Sequence, residues 1–147
     1  MLQSTQVYAL QPDGTDNADF QITAPGTMTG EWLTGLEGMQ LVAVELRFLW
    51  GSGGTTVKAI LQSAMGADGP AYDIAQVTFN TVARTVVFEM FSGTTDFVDP
   101  GAGGITAGGA AAADGLLCHV LGDRLRLVAI VAGTYLNTVL SARVLPK

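Results

Sequence analysis

The stretch Gly38-Met-Gln-Leu-Val-Ala-Val-Glu-Leu-Arg-Phe-Leu-Trp50 carries the clearest structural message in the chain. Val42, Val44, Leu46 and Phe48 alternate with Ala43, Glu45 and Arg47. Successive side chains of an extended strand point to opposite faces, so the alternation builds one apolar face and one mixed face. Gly51-Ser-Gly-Gly54 follows as a loop of hairpin length. Thr55 to Ser63 then resumes the period, with Val57, Ala59 and Leu61 on one face and Lys58 opposite.

The same pattern extends outward in both directions. Gln6 to Leu10 is closed by Pro12-Asp13-Gly14, and Phe20 to Ala24 by Pro25-Gly26; Met28 to Leu33 follows. Tyr72 to Phe79 leads through the tight connection Asn80-Thr81-Val82 to a partner strand, Arg84 to Phe91. Asp123 to Ala132 and Leu136 to Leu145 close the chain. The expectation is all-β: an antiparallel β-sandwich of about eight strands, jelly-roll-like, forming one domain over residues 1–147, with a closed barrel as the alternative. Such a sandwich turns the Val42/Val44/Leu46/Phe48 face inward. Residues 92–114 have no period and are rich in Gly and Ala. They are too long for an ordinary connection and read as a long loop or arm.

Composition narrows the function. The chain has 147 residues, enough for one core without disulfides or metal. Charged residues make up 14%, well below the roughly 25% of an average domain, and mean hydropathy is +0.37. Disorder is excluded as the main state. The low charge implies surface intended for protein neighbours. Net charge is −6 and the basic residues are scattered, so no stripe exists for nucleic acid and no polybasic patch for a membrane. The apolar run Leu127 to Ala132 is far shorter than a membrane-spanning helix requires. One cysteine, Cys118, excludes an intrachain disulfide framework.

Chemistry-bearing patterns are weak. Cys118 and His119 are neighbours that a strand points to opposite faces, a poor ligand or nucleophile pair. Asp13, Asp16 and Asp19 lack the ligand order and closing Glu of a calcium loop. Asp96 and Asp99 are the nearest approach to a carboxylate pair for hydrolysis. The Gly51–Gly54 and Gly101–Gly104 clusters lack phosphate-loop and dinucleotide signatures. Trp32, Trp50, Tyr72 and Tyr135 read as rings capping the core, or alternatively as glycan platforms. No catalytic, cofactor or metal site is expected, and the chain is not read as an enzyme. Arg124 and Arg126 share a strand face, with carboxylates across the sheet or on a neighbouring chain as expected partners. They are candidate interface residues, together with Asp99, Pro100 and Ile105 in the long loop.

Two stretches carry a resemblance. The first is Val57 to Phe79, where Gln62-Ser63 ends a strand, Asp68-Gly69 makes a turn and Tyr72-Asp73-Ile74-Ala75 opens the next strand. The second is Asp114 to Leu140, with Leu121-Gly122-Asp123-Arg124-Leu125-Arg126 leading into Gly133-Thr134-Tyr135. Together they resemble small structural proteins of tailed bacteriophages. They depart from that group after Ser63, where a fuller Asp-Gly-Gly and a Trp are usual and Gly69-Pro70 and Tyr72 stand instead. The resemblance implies a virion part assembled in the host bacterial cytoplasm, most simply a capsid decoration (cement) protein. Its implied partners are the major capsid protein or neighbouring virion proteins and further copies of itself, a homotrimer being favoured. A neck or tail appendage that binds a host glycan is the alternative.

Overall fold

A computed structural model describes residues 6–14, 17–91, 114–117 and 120–147. Twelve strands follow one another: β1 (Tyr8–Ala9), β2 (Phe20–Ile22), β3 (Gly26–Thr29), β4 (Leu41–Leu49), β5 (Ser52–Gly53), β6 (Thr56–Ala64), β7 (Tyr72–Phe79), β8 (Arg84–Phe91), β9 (Gly115–Leu116), β10 (Arg124–Ala132), β11 (Tyr135–Leu136) and β12 (Thr138–Pro146). Among the described residues there is no helix. The first antiparallel sheet runs β1-β12-β4-β8, with β2 also on β12; the second runs β3-β10-β6-β7-β9. β5 and β11 form a two-stranded ribbon of their own.

The two sheets pack face to face, as the alternation requires. Val42, Val44, Leu46 and Phe48 are buried, and so are Leu140, Ala142 and Val144 beside them on β12. From the second sheet come Val57, Ala59 and Leu61 on β6 and Leu125, Leu127, Ala129 and Val131 on β10. Each fully buried Val, Leu or Phe among them contributes about 1.5–3 kcal/mol. A bulge between Leu61 and Gln62 leaves Ile74 as the extra residue of β7, so Ile74 and Ala75 both reach the core.

Two apparent hairpins are not hairpins. β8 pairs with β4 rather than with β7, and the loop after β4 leads to the opposite sheet. Alternation specifies which face a residue occupies, not which strand lies beside it. The connections at 23–25, 50–55, 80–83 and 133–137 each cross from one sheet to the other. All four lie at the same end of the sandwich. β6 and β7 do form a true hairpin, through 65–71 at the other end. The long loop expected at 92–114 lies outside the described residues except for Asp114.

Candidate interaction surface

Arg126 and Arg124 have partners within the chain. Arg126 Nε donates to Gln62 Oε1 at 2.8 Å, and Gln62 Nε2 donates to Asp73 Oδ1 at 2.7 Å. Gln62 is fully buried. The row crosses β10, β6 and β7 on the face away from the core, and the Arg126 guanidinium lies 4.3 Å from the Trp32 ring centroid. Burial raises the Asp73 carboxyl above its ordinary value, opposed by the Gln62 hydrogen bond and the Arg126 charge. The carboxylate expected across the sheet is thus reached through an amide, two strands away. Arg124 Nε donates to Asp123 Oδ1 at 3.0 Å, and the same oxygen accepts from Gly66 N at 2.9 Å. The Arg124 hydrogen bond and then the Gly66 amide hold the Asp123 carboxyl below its ordinary value.

The segment Leu121-Gly122-Asp123-Arg124 is therefore a clasp on the end of β6. Gly122 N and Ser63 Oγ are 2.8 Å apart, and Ser63 Oγ donates onward to Arg124 O at 2.8 Å. A Cβ on Gly122 would collide with the Ala64 carbonyl. Gly122→Ala is expected to lower stability by about 1–3 kcal/mol, measured by urea unfolding.

A second clasp closes the side of the sandwich. Asp114 accepts from Thr78 N at 2.8 Å, from Thr78 Oγ1 at 2.7 Å and from Gln76 Nε2 at 3.3 Å. It stands at the rim of a cleft of about 240 Å³ between the sheets, lined by Val77, Val86, Phe88 and Leu116. Partial burial pushes the Asp114 carboxyl up, but the Thr78 and Gln76 hydrogen bonds outweigh it, and the net value lies below 3.8. A depressed carboxyl contributes stability above its unfolded pKa and loses it as pH falls through the folded value. Asp114→Asn is expected to flatten that acid-side loss, read as the urea midpoint between about pH 5 and pH 2. It should also cost about 1 kcal/mol at neutral pH.

A further surface feature is the end where the four crossovers meet. Segments 23–26, 49–56, 80–83 and 132–138 contain no Asp, Glu, Lys, Arg or His. Four large apolar side chains are exposed there: Leu49 at 50%, Trp50 at 38%, Val82 at 63% and Leu136 at 62%. The opposite end carries Asp13, Glu37, Asp68, Asp123, Arg124 and Lys147.

Tyr135 is the hub of this crossover end, with exposed Arg84 beside it over the Phe79 ring. Its ring is fully buried and packs edge-on to Phe48 at 6.1 Å, and Phe48 stacks on Phe79 at 5.0 Å. Its amide donates to Thr23 O at 2.7 Å and its hydroxyl to Asn80 O at 3.2 Å, so one residue ties together three crossovers. The fourth is tied by the β5–β11 ribbon, where Tyr135 faces Gly53 and Leu136 faces Ser52. Gly54 has φ +81° and lies so close to the Tyr135 ring that a Cβ would overlap it. Trp50 Nε1 donates to Gly53 O at 3.0 Å, which orients the indole.

The other candidates from the sequence are dispersed. Asp99, Pro100, Ile105, Asp96, Asp16, Cys118 and His119 lie outside the described residues. Asp19 pairs with Arg143 at 2.9 Å. Among the described residues no group of three or more His, Cys, Asp or Glu is placed to hold a metal ion. Tyr72 and Tyr135 are buried in the core, as the capping expectation had it, whereas Trp32 covers Arg126 and Trp50 is exposed. The crossover end escaped sequence reasoning because its four pieces are far apart in the chain; the charge gaps at 49–57 and 127–142 were the available signal. No family model matches the chain, and neither a curated protein nor a solved structure matches it.

Proposed function

We propose that this chain is a structural protein of a tailed-bacteriophage virion: a capsid decoration protein that binds the head shell and stabilises it through protein–protein contacts. Its sandwich would then be a jelly-roll variant, working as a homotrimer beside the major capsid protein. The observation that supports the reading is the convergence of the residues on which the phage resemblance rests. Gln62, Asp73 and Arg126 form one hydrogen-bonded row, while Ser63, Gly122 and Asp123 form the adjoining clasp. Tyr135 of the same pattern organises the crossover end. Letters scattered over two stretches thus form one contact network, as a shared fold signature requires.

Light-scattering mass and co-sedimentation with expanded heads of the virus encoding the chain test the proposal. The expected result is a trimer that saturates the heads at a fixed stoichiometry. A stable dilute monomer with no affinity for heads would overturn it. The exposed Trp50 ring favours a second reading, a neck or tail appendage that binds host glycan, and a glycan array with and without calcium tests that.

A further inference from the structure

We infer that the outer edge of β8 is a strand-accepting site. Its occupant is one extended segment of another polypeptide, apolar at alternate positions, which adds to β8 and seats those side chains in the adjoining cleft. The inference does not depend on the virion reading.

The edge itself defines what binds it. Among the described residues β8 pairs only with β4, as the last strand of the first sheet. A strand paired on one side presents a row of backbone N–H and C=O groups on the other, and extended backbone is what matches that row. The ladder from Leu41↔Phe91 to Phe48↔Arg84 runs without a register shift, so no bulge twists the edge away. Arg84-Thr-Val-Val-Phe-Glu-Met-Phe91 holds neither proline nor glycine and is rich in strand-forming residues. The second sheet shows how this chain closes an edge. The outer side of β7 is covered from Ile74 to Thr78: Ala75 and Gln76 pair with β9, Leu117 N donates to Ile74 O at 2.8 Å, and Thr78 N donates to Asp114 at 2.8 Å. Among the described residues β8 has no such cover, and Val87 on its outward face is 68% exposed.

The cleft of about 240 Å³ beside this edge supplies side-chain selection. Val86 and Phe88 form one wall and Val77 and Leu116 the other, with Arg84 and Asp114 also lining it. Val86 and Phe88 are only half-buried, so the core is unfinished on this side. An added strand continues the pleat of β8, and its alternate side chains then point into the cleft beside Val86 and Phe88. A charged side chain there would lose its water against apolar walls, which makes the occupant apolar at those positions. Strand addition of this kind takes affinity from main-chain hydrogen bonds and specificity from pockets for alternate side chains.

The probe is a fluorescein-labelled peptide the length of β8 that alternates Thr and Val. Fluorescence anisotropy should show saturable binding to the whole chain. Amide hydrogen exchange, read by NMR, should slow at the β8 amides that face away from β4. The same peptide methylated on every backbone nitrogen, and a version with Lys in place of Val, should each bind at least about tenfold more weakly. Leu116→Gln, at a cleft position 41% exposed, should also weaken binding about tenfold, whereas Met65→Asp, 61% exposed at the opposite end, should bind as wild type. Thermal unfolding confirms that each variant is folded, and the altered peptides keep the test decisive if one is not. Absence of saturable binding, equal binding of the methylated peptide, or slowed exchange confined to other strands would overturn the inference. Two further outcomes would overturn a separate polypeptide as occupant. Edge-facing β8 amides that exchange slowly in dilute protein without peptide show the chain covering its own edge. Protection there that rises with protein concentration alone shows a second copy on it.

Discussion

Tyr135→Ala is expected to cost about 3–5 kcal/mol and to lower Tm by roughly 10 °C, the largest effect of any single truncation considered. The ring is fully buried against Phe48 at the point where the two sheets exchange strands. Removing it leaves a cavity beside backbone that cannot collapse, because Gly53 and Gly54 are already at their closest approach to residues 134–135. It also frees the carbonyl of Asn80, half of the link between two crossovers. Tyr135→Phe separates the two contributions: the ring stays, the hydroxyl bond goes, and about 1 kcal/mol is lost. Burial raises the phenol above its ordinary value of 10.0, so the hydroxyl remains a donor at neutral pH. An acid raised in the folded state contributes stability below its unfolded pKa and loses it as pH rises through the folded value. Alkaline destabilisation above about pH 10 is therefore expected in wild type and should be smaller in Tyr135→Phe, measured by urea midpoint. Head binding by Tyr135→Phe should stay within a few-fold of wild type, since the exposed groups are untouched.

Gln62→Leu should be nearly as damaging, at about 3 kcal/mol. Leucine fills the space but severs both bonds of the row. Asp73 loses the amide donor that partly offsets its burial, and Arg126 loses its acceptor at 2.8 Å. A neutral bridge between opposite charges is hard to replace, because the amide donates to one and accepts from the other. Gln62→Glu makes the point by its pH dependence. Glutamate still accepts from Arg126, but it sets a second carboxylate against Asp73. The folded-state pKa of that pair is pushed up, so stability is present at low pH and lost as pH rises through the raised value. Gln62→Glu should therefore gain on wild type as pH falls from about 7 to about 5. Equal urea midpoints for the two proteins at both pH values would show that the row carries no such coupling.

What the sequence made legible was the orientation of residues more than their neighbours. The inward faces of β4 and β6 follow from alternation, because a strand with one apolar and one mixed face has no other way to place Val42, Val44, Leu46 and Phe48; the continuous apolar run 127–132 of β10 gave no such choice of face. Strand pairing was not legible, since a short loop serves equally for a hairpin or for a crossover between sheets. Gly51–Gly54 and Asn80–Ala83 both proved to be crossovers. The Gln62–Asp73 pairing depends on the bulge that skips Ile74, and no local pattern announces a one-residue slip. Arg126 was visible as an interface candidate, but its amide partner was not, because an unpaired Arg in a sequence directs attention to carboxylates. The crossover end was hidden for the opposite reason. Each segment is unremarkable alone, and only the topology brings Leu49, Trp50, Val82 and Leu136 to one end.

Cryo-electron microscopy of heads carrying the bound protein tests the central claim most directly. The account expects sandwich density on the outside of the shell, present at a fixed stoichiometry at saturating protein. Heads that carry no such density at saturating protein would contradict it.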